Sequence, residues 1–227
     1  MIVTRIERQK RHPRRVNVYL DGAFAFGLDE EVLVRHGLRK GDSLDQETHQ
    51  ALLGAEEYSS ARQIALRYLS YRLRSEREIR MKLAEQEYAP EIIERVMEKL
   101  RTAGMADDRR FAAAFVHDAR MRKPAGARLL RQQLLVKGVP REIVEAVIGE
   151  SADRQEEQKA ALEAARTMLK KYRASRKRSD AALHRQRLAQ FLTRRGFGWD
   201  VITPILRSLF ISSEQIPDGT EDGITGI

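Results

Sequence analysis

The chain has 227 residues, a formal net charge of +9, a pI near 10.0 and no cysteine, which excludes disulfides, zinc–thiolate sites and thiol catalysis together. No apolar run approaches the length needed to span a bilayer, and MIVTRIERQKRHPRR sets apolar alternation before a basic run, so no membrane contact and no secretory signal are expected and a cytoplasmic location is. The five histidines (His12, His36, His49, His117, His184) contain no i, i+4 pair, so no metal and no cofactor is expected.

The excess of Lys and Arg favours contact with nucleic acid or an acidic protein surface. With 33% of residues charged, a salt-bridged helical surface is the competing reading, and net charge alone does not choose between them.

Residues 1–57 read as a small β-rich extension. Alternation over Ile2 to Gln9, then VNVYL, then Asp21-Gly22, then AFAFGL predicts three strands, the last two joined by a tight turn that accepts positive φ. Val16, Val18 and Leu20 should share a face, covered by Phe24, Phe26 and Leu28 of the returning strand. A short helix is expected over Asp29 to His36, with Asp29 as N-cap and Gly37 as its stop, after which LRKGDSL returns the chain to the sheet.

Residues 58–211 are helical nearly throughout and carry an internal repeat. One apolar frame occurs three times: Ile79, Leu83, Tyr88, Ile92, Ile93, Val96; Leu130, Leu134, Val139, Ile143, Val144, Val147; and Leu188, Leu192, Phe197, Val201, Ile202, Ile205. Two positions four apart form the inner stripe of one helix, a hinge follows at Glu87, Gly138 or Gly196, and an i, i+1, i+4 triplet opens the next helix. Glycine suits the left-handed conformation that ends a helix, so the Glu87 hinge is expected to differ in shape from the other two. A further helical segment precedes each frame: SARQIALRYLSYRL, DDRRFAAAFVHDARM and QKAALEAARTMLKKY.

The expected fold is therefore mainly α, with three tandem three-helix repeats (58–106, 107–152, 153–211) in an elongated curved body behind the β-meander. Residues 212–227 form a polar, acidic tail expected to be disordered.

Arg72 with Ser75-Glu76-Arg77-Glu78-Ile79-Arg80 through Leu83, Asp107-Asp108-Arg109-Arg110-Phe111-Ala112, Gly126 with RQQLLVKGV, and QFLTRRGF occur in that order. Together they resemble the regulatory protein RecX family over roughly residues 58 to 210. The resemblance implies a non-enzymatic modulator of the RecA recombinase, one that lies in the groove of its filament on single-stranded DNA and suppresses strand exchange, ATP hydrolysis and coprotease activity. It also implies possible direct DNA contact. The protein is expected to be a monomer when free. In KPAGARLL, Pro124 stands where the family more often has a basic–aromatic lead into the glycine.

No nucleophile, base and orienting group form a set, so catalysis is not expected. Asp107-Asp108 precedes a helix and reads as N-cap and first-turn residues rather than paired catalytic acids, and Ser75 with Glu78 reads as a capping box. Basic residues recur at equivalent points of the repeat: Arg72, Arg74, Arg77 and Arg80; Arg120, Arg122, Lys123, Arg128 and Arg131; Lys170, Lys171, Arg194 and Arg195. These are the candidate stripe for recombinase or DNA contact; each residue taken singly can equally be a solvated surface charge. KKYRASRKRS, with Arg173, Arg176, Lys177 and Arg178, reads either as a nucleic-acid contact or as a basic linker. A direct nucleic-acid-binding protein without a recombinase partner, and a general helical scaffold, are the alternative functions.

Overall fold

The computed structural model describes residues 1–151, 153–174 and 181–211. The expected acidic tail, 212–227, and Arg176, Lys177 and Arg178 lie outside the described residues. Two compact units divide the chain, Met1–Asp108 and Arg109 onward.

The first unit opens with three antiparallel strands in sequence order, β1 (Val3–Arg8), β2 (Arg15–Leu20) and β3 (Ala23–Asp29). Asp21 (φ 50°) and Gly22 (φ 90°) both take positive φ between β2 and β3, the requirement of the hairpin turn read from the sequence. Val16, Val18, Leu20, Phe26 and Leu28 are buried on one face with Val3. Phe24 is not: it is 59% exposed, contrary to the sequence expectation. The register shifts between Val18, paired with Phe26, and Tyr19, paired with Phe24. That bulge moves Phe24 to the opposite face, where its ring meets Tyr19 edge-on at 5.9 Å.

Helix α1 (Glu30–His36) is capped by Asp29, which accepts from Glu31 N at 2.8 Å, and ends at Gly37 with φ 64°. The chain then returns to the sheet, where Ile2 bridges Ser43 and Leu44 N donates to Met1 O. Helix α2 (Gln46–Tyr71) starts earlier than the segment SARQIALRYLSYRL and runs unbroken through residues 57 and 58. Its first half places Leu52 in the core of the sheet, and its second half places Ala61 and Ala65 in the core of the first repeat. Helices α3 (Glu76–Ala84) and α4 (Pro90–Thr102) complete that repeat.

The second unit contains α5 (Asp108–Arg122), α6 (Ala127–Val136) and α7 (Arg141–Glu150), then α8 (Arg154–Ala174), α9 (Ala181–Arg194) and α10 (Trp199–Ile211). Each triplet surrounds its own core. All eighteen frame positions point inward: Tyr88 and Ile143 are half-buried and the other sixteen are buried. The three hinges share one backbone shape, with φ of 62° at Glu87, 81° at Gly138 and 82° at Gly196. Glu87 thus adopts the conformation that the sequence reading reserved for glycine. Packing of Ile79 and Leu83 on one side and of the Ile92–Val96 stripe on the other fixes the exit angle and overrides the local steric preference.

Three carboxylates close the first repeat, those of Glu76, Glu78 and Asp108. Ser75 and Glu78 form the capping box on α3. Asp108 stands in the first turn of α5, and its Oδ1 also accepts from Glu76 N, the first residue of α3, at 2.9 Å. Burial pushes the Asp108 carboxyl above the ordinary aspartate range, against the opposing effect of that N–H. Arg101, on the last turn of α4, forks onto the Glu76 carboxylate at 2.6 to 3.0 Å, which raises its own pKa.

Candidate functional site

The basic residues of the first unit are largely engaged within it. Arg72 forks onto Glu78 at 3.0 and 3.2 Å, Arg80 pairs with Glu94 and lies 3.8 Å from Glu76, and Arg74 stacks 3.9 Å over Tyr68. Arg77 is exposed on α3. Arginines held this way stabilise the surface of the repeat, and a polyanion would have to displace carboxylates to reach them.

The second unit differs. Arg120 is half-buried and donates to Ser151 O at 2.6 Å, so it caps the C-terminal end of α7. Arg131 pairs with Glu145 at 2.9 Å. Arg122, Lys123, Arg128, Lys170, Lys171 and Arg194 are exposed, and their side chains have no ion pair or hydrogen bond among the described residues. Arg195 is half-buried with its guanidinium 5.4 Å over Phe191.

Several of these meet at a joint between the second and third repeats. Gly126 N donates to Arg195 O at 2.8 Å, Arg128 N to Gly196 O at 3.2 Å, and Ala127 N to the Glu157 carboxylate at 3.0 Å. The first N–H groups of α6, which no carbonyl of that helix can satisfy, are thus taken by the hinge between α9 and α10 and by α8. Gly126 is required because a Cβ there would fall on the Gly196 carbonyl. Gly196 is required in turn because a Cβ there would fall on Leu129. The joint fixes the backbones that carry Arg128, Arg194 and Arg195 against one another, with Arg122 and Lys123 entering by the loop before Gly126. The sequence marks both glycines but not their contact, which spans seventy positions and leaves no local pattern.

The arrangement offers exposed, permanently charged donors on a rigid backbone, suited to acidic side chains or phosphates. Among the described residues no group of three or more His, Asp or Glu could hold a metal ion, and no helix is long and apolar enough to cross a membrane.

Comparison with known proteins places all of this in one context. Residues 1–45 match the regulatory protein RecX N-terminal domain, and residues 61–100, 107–148 and 155–206 match the first, second and third three-helix domains of RecX. The chain belongs to the RecX regulatory protein family. It is 33% identical over 218 residues to the regulatory protein RecX of Halalkalibacterium halodurans, covering 94% of this chain and 80% of the relative. To that of Clostridium acetobutylicum it is 33% identical over 210 residues, covering 92% and 96%. A crystal structure of regulatory protein RecX superposes with a TM-score of 0.72 at 31% identity, covering 90% of this chain and 98% of that one. RecX from Lactobacillus salivarius, at 23% identity and a TM-score of 0.62, shares the fold over 69% of this chain and 99% of its own. The three-helix RecX domains coincide with the repeated apolar frame, and the β segment is a RecX domain in its own right.

Proposed function

We propose that this protein regulates the RecA recombinase by binding the filament that RecA forms on single-stranded DNA and inhibiting its recombinase, ATPase and coprotease activities. Family membership supports the recombinase as partner. The observation that carries the reading to particular residues is the set of exposed cations at the joint of the second and third repeats, Arg122, Lys123, Arg128 and Arg194, which have no ion pair among the described residues. A DNA-bearing filament presents acidic side chains and phosphates together, and long-range attraction to a chain of net charge +9 accelerates docking. The protein acts as a monomer, by binding and without chemistry of its own.

The test is ATP hydrolysis by a RecA filament on single-stranded DNA with this protein titrated in. Hydrolysis should fall at or below equimolar amounts, and no inhibition at equimolar protein would refute the reading. Charge reversal at Arg122, Lys123 and Arg128 should weaken inhibition about tenfold or more with the fold intact, as expected when several long-range attractions become repulsions; unchanged inhibition would remove the assignment to this surface. The same cations on a strongly basic chain support a second reading, direct nucleic-acid binding without a recombinase. In that case affinity for single-stranded DNA alone should fall with salt at a log–log slope of about −0.7 per phosphate contacted, and the recombinase should make no difference.

A further inference from the structure

A concavity of about 560 Å³ lies in the first unit between α1, α2 and α4, and no residue of the candidate stripe lines it. Four cations line it against two carboxylates: Arg35 on α1, Arg62 on α2, and Arg95 and Lys99 one turn apart on α4, with Glu31 and Glu98. Glu31 orients two of them, accepting from Arg35 at 2.6 Å and lying 3.7 Å from Arg62. Each guanidinium has five donors, so one shared carboxylate leaves most of them unused. Arg95 lies 4.9 Å from the centre of the Tyr58 ring, which packs on the repeat core; with that face covered, a base has no obvious stacking platform. Lys99 has no side-chain partner among the described residues.

Ser59 is the telling residue. It lines the same concavity, is only 7% exposed, and its hydroxyl has no hydrogen bond among the described residues. The hydroxyl oxygen is reached by solvent and is not sealed in the core, so it stands open to a hydrogen-bonding ligand in the concavity.

We propose that this concavity binds phosphate groups. Its donors come from three helices and converge from different directions. A phosphate presents several acceptor oxygens in a tetrahedral arrangement and can meet an Arg fork, the Lys99 ammonium and the Ser59 hydroxyl together, whereas a planar carboxylate presents two. The source is either a nucleic-acid backbone or a free phosphate compound. The site would give the β-rich module a role, since its helix α1 supplies Arg35 and the orienting Glu31.

The experiment uses the full chain without recombinase, so its outcome is separate from that of the regulatory reading. Binding of pyrophosphate, a short oligo-dT and hexaglutamate is measured by calorimetry and fluorescence anisotropy at several salt concentrations. Parent, Ser59→Ala and Lys99→Gln are compared, each also in the background reversed at Arg122, Lys123 and Arg128. Lys99→Gln should weaken phosphate binding about tenfold and, for oligo-dT, reduce the salt slope by about 0.7, the loss of one contact. Ser59→Ala should weaken it several-fold while leaving the melting temperature unchanged or raised, since the hydroxyl has no hydrogen bond to lose among the described residues. Effects on pyrophosphate identify a free phosphate compound, and effects confined to oligo-dT identify the nucleic-acid backbone; both support the proposal. It is overturned if neither phosphate ligand binds, if both variants bind like the parent, or if only hexaglutamate binding responds.

Discussion

Glu87 holds, at φ 62°, the backbone shape that Gly138 and Gly196 hold in the later repeats. A side chain in the left-handed region costs about 1–2 kcal/mol, and glycine returns part of any gain through the greater freedom of its unfolded chain. Glu87→Gly should therefore stabilise the first unit by about 0.5–1 kcal/mol, read as a raised urea midpoint at constant slope. Asp108 makes a second residue-scale case. Burial raises its folded pKa above the ordinary 3.8, so the folded state holds the proton more tightly than the unfolded one. The associated stability is fully present below that ordinary value and is lost as pH rises through the raised one. Asp108→Asn keeps an acceptor for Glu76 N and does not titrate. Its stability relative to the parent should grow as pH is raised from about 3.8 upward, followed by denaturant unfolding at a series of pH values; a difference that stayed flat would contradict the burial account.

At the scale of elements, the joint of the second and third repeats rests on backbone meeting backbone. Gly126→Ala would drive a methyl into the Gly196 carbonyl, and two backbone segments held by hydrogen bonds cannot move apart as a flexible side chain could. A loss of about 2–3 kcal/mol is expected, with chemical-shift changes on both sides of the joint. Gly149→Ala is the control: it lies in α7 with nothing near a Cβ and should gain about 0.5–1 kcal/mol.

The contrast also shows what could be read in advance. The repeats were legible because core positions recur at fixed offsets, and Leu83, Leu134 and Leu192 are all fully buried where the frame puts them. Phe24 was misplaced because a bulge at Val18 and Tyr19 inverts the alternation without any glycine to announce it. The early start of α2 was hidden because QETHQALLGAEE buries only Leu52 among its residues and so shows little periodicity. Of the candidate stripe, residue type alone could not separate Arg120, which caps α7, from Arg122, whose side chain has no ion pair or hydrogen bond among the described residues. That difference depends on whether an acceptor sits within reach in the folded chain. The concavity beside Ser59 was invisible for a related reason, since its donors are scattered from position 35 to position 99 and form no local pattern.

For the whole molecule, electrostatics is the property that acts over distance. The +9 charge already includes the segment 212–227, which carries Glu214, Asp218, Glu221 and Asp222 and no Lys or Arg. Deleting that segment removes negative charge only. Affinity for single-stranded DNA should rise at low ionic strength, and the two curves should converge as salt shortens the Debye length to about 3 Å near 1 M. A gain that persisted at high salt would mean the segment acts by contact and not through its charge.

Helix α2 gives the first unit a built-in ruler. Its 26 residues span about 39 Å, with Leu52 locked into one core and Ala61 and Ala65 into the next. The sheet and the first repeat are consequently held in a fixed rotational phase. One residue inserted between Ala55 and Ala61 would turn one core by about 100° against the other. Seven would restore the phase to within about 20° while lengthening the span by about 10 Å. Arg35 reaches the concavity from one side of that splice, and Arg95 and Lys99 from the other. Insertion length along a single helix therefore controls whether these charges face one another, independently of whether either core folds.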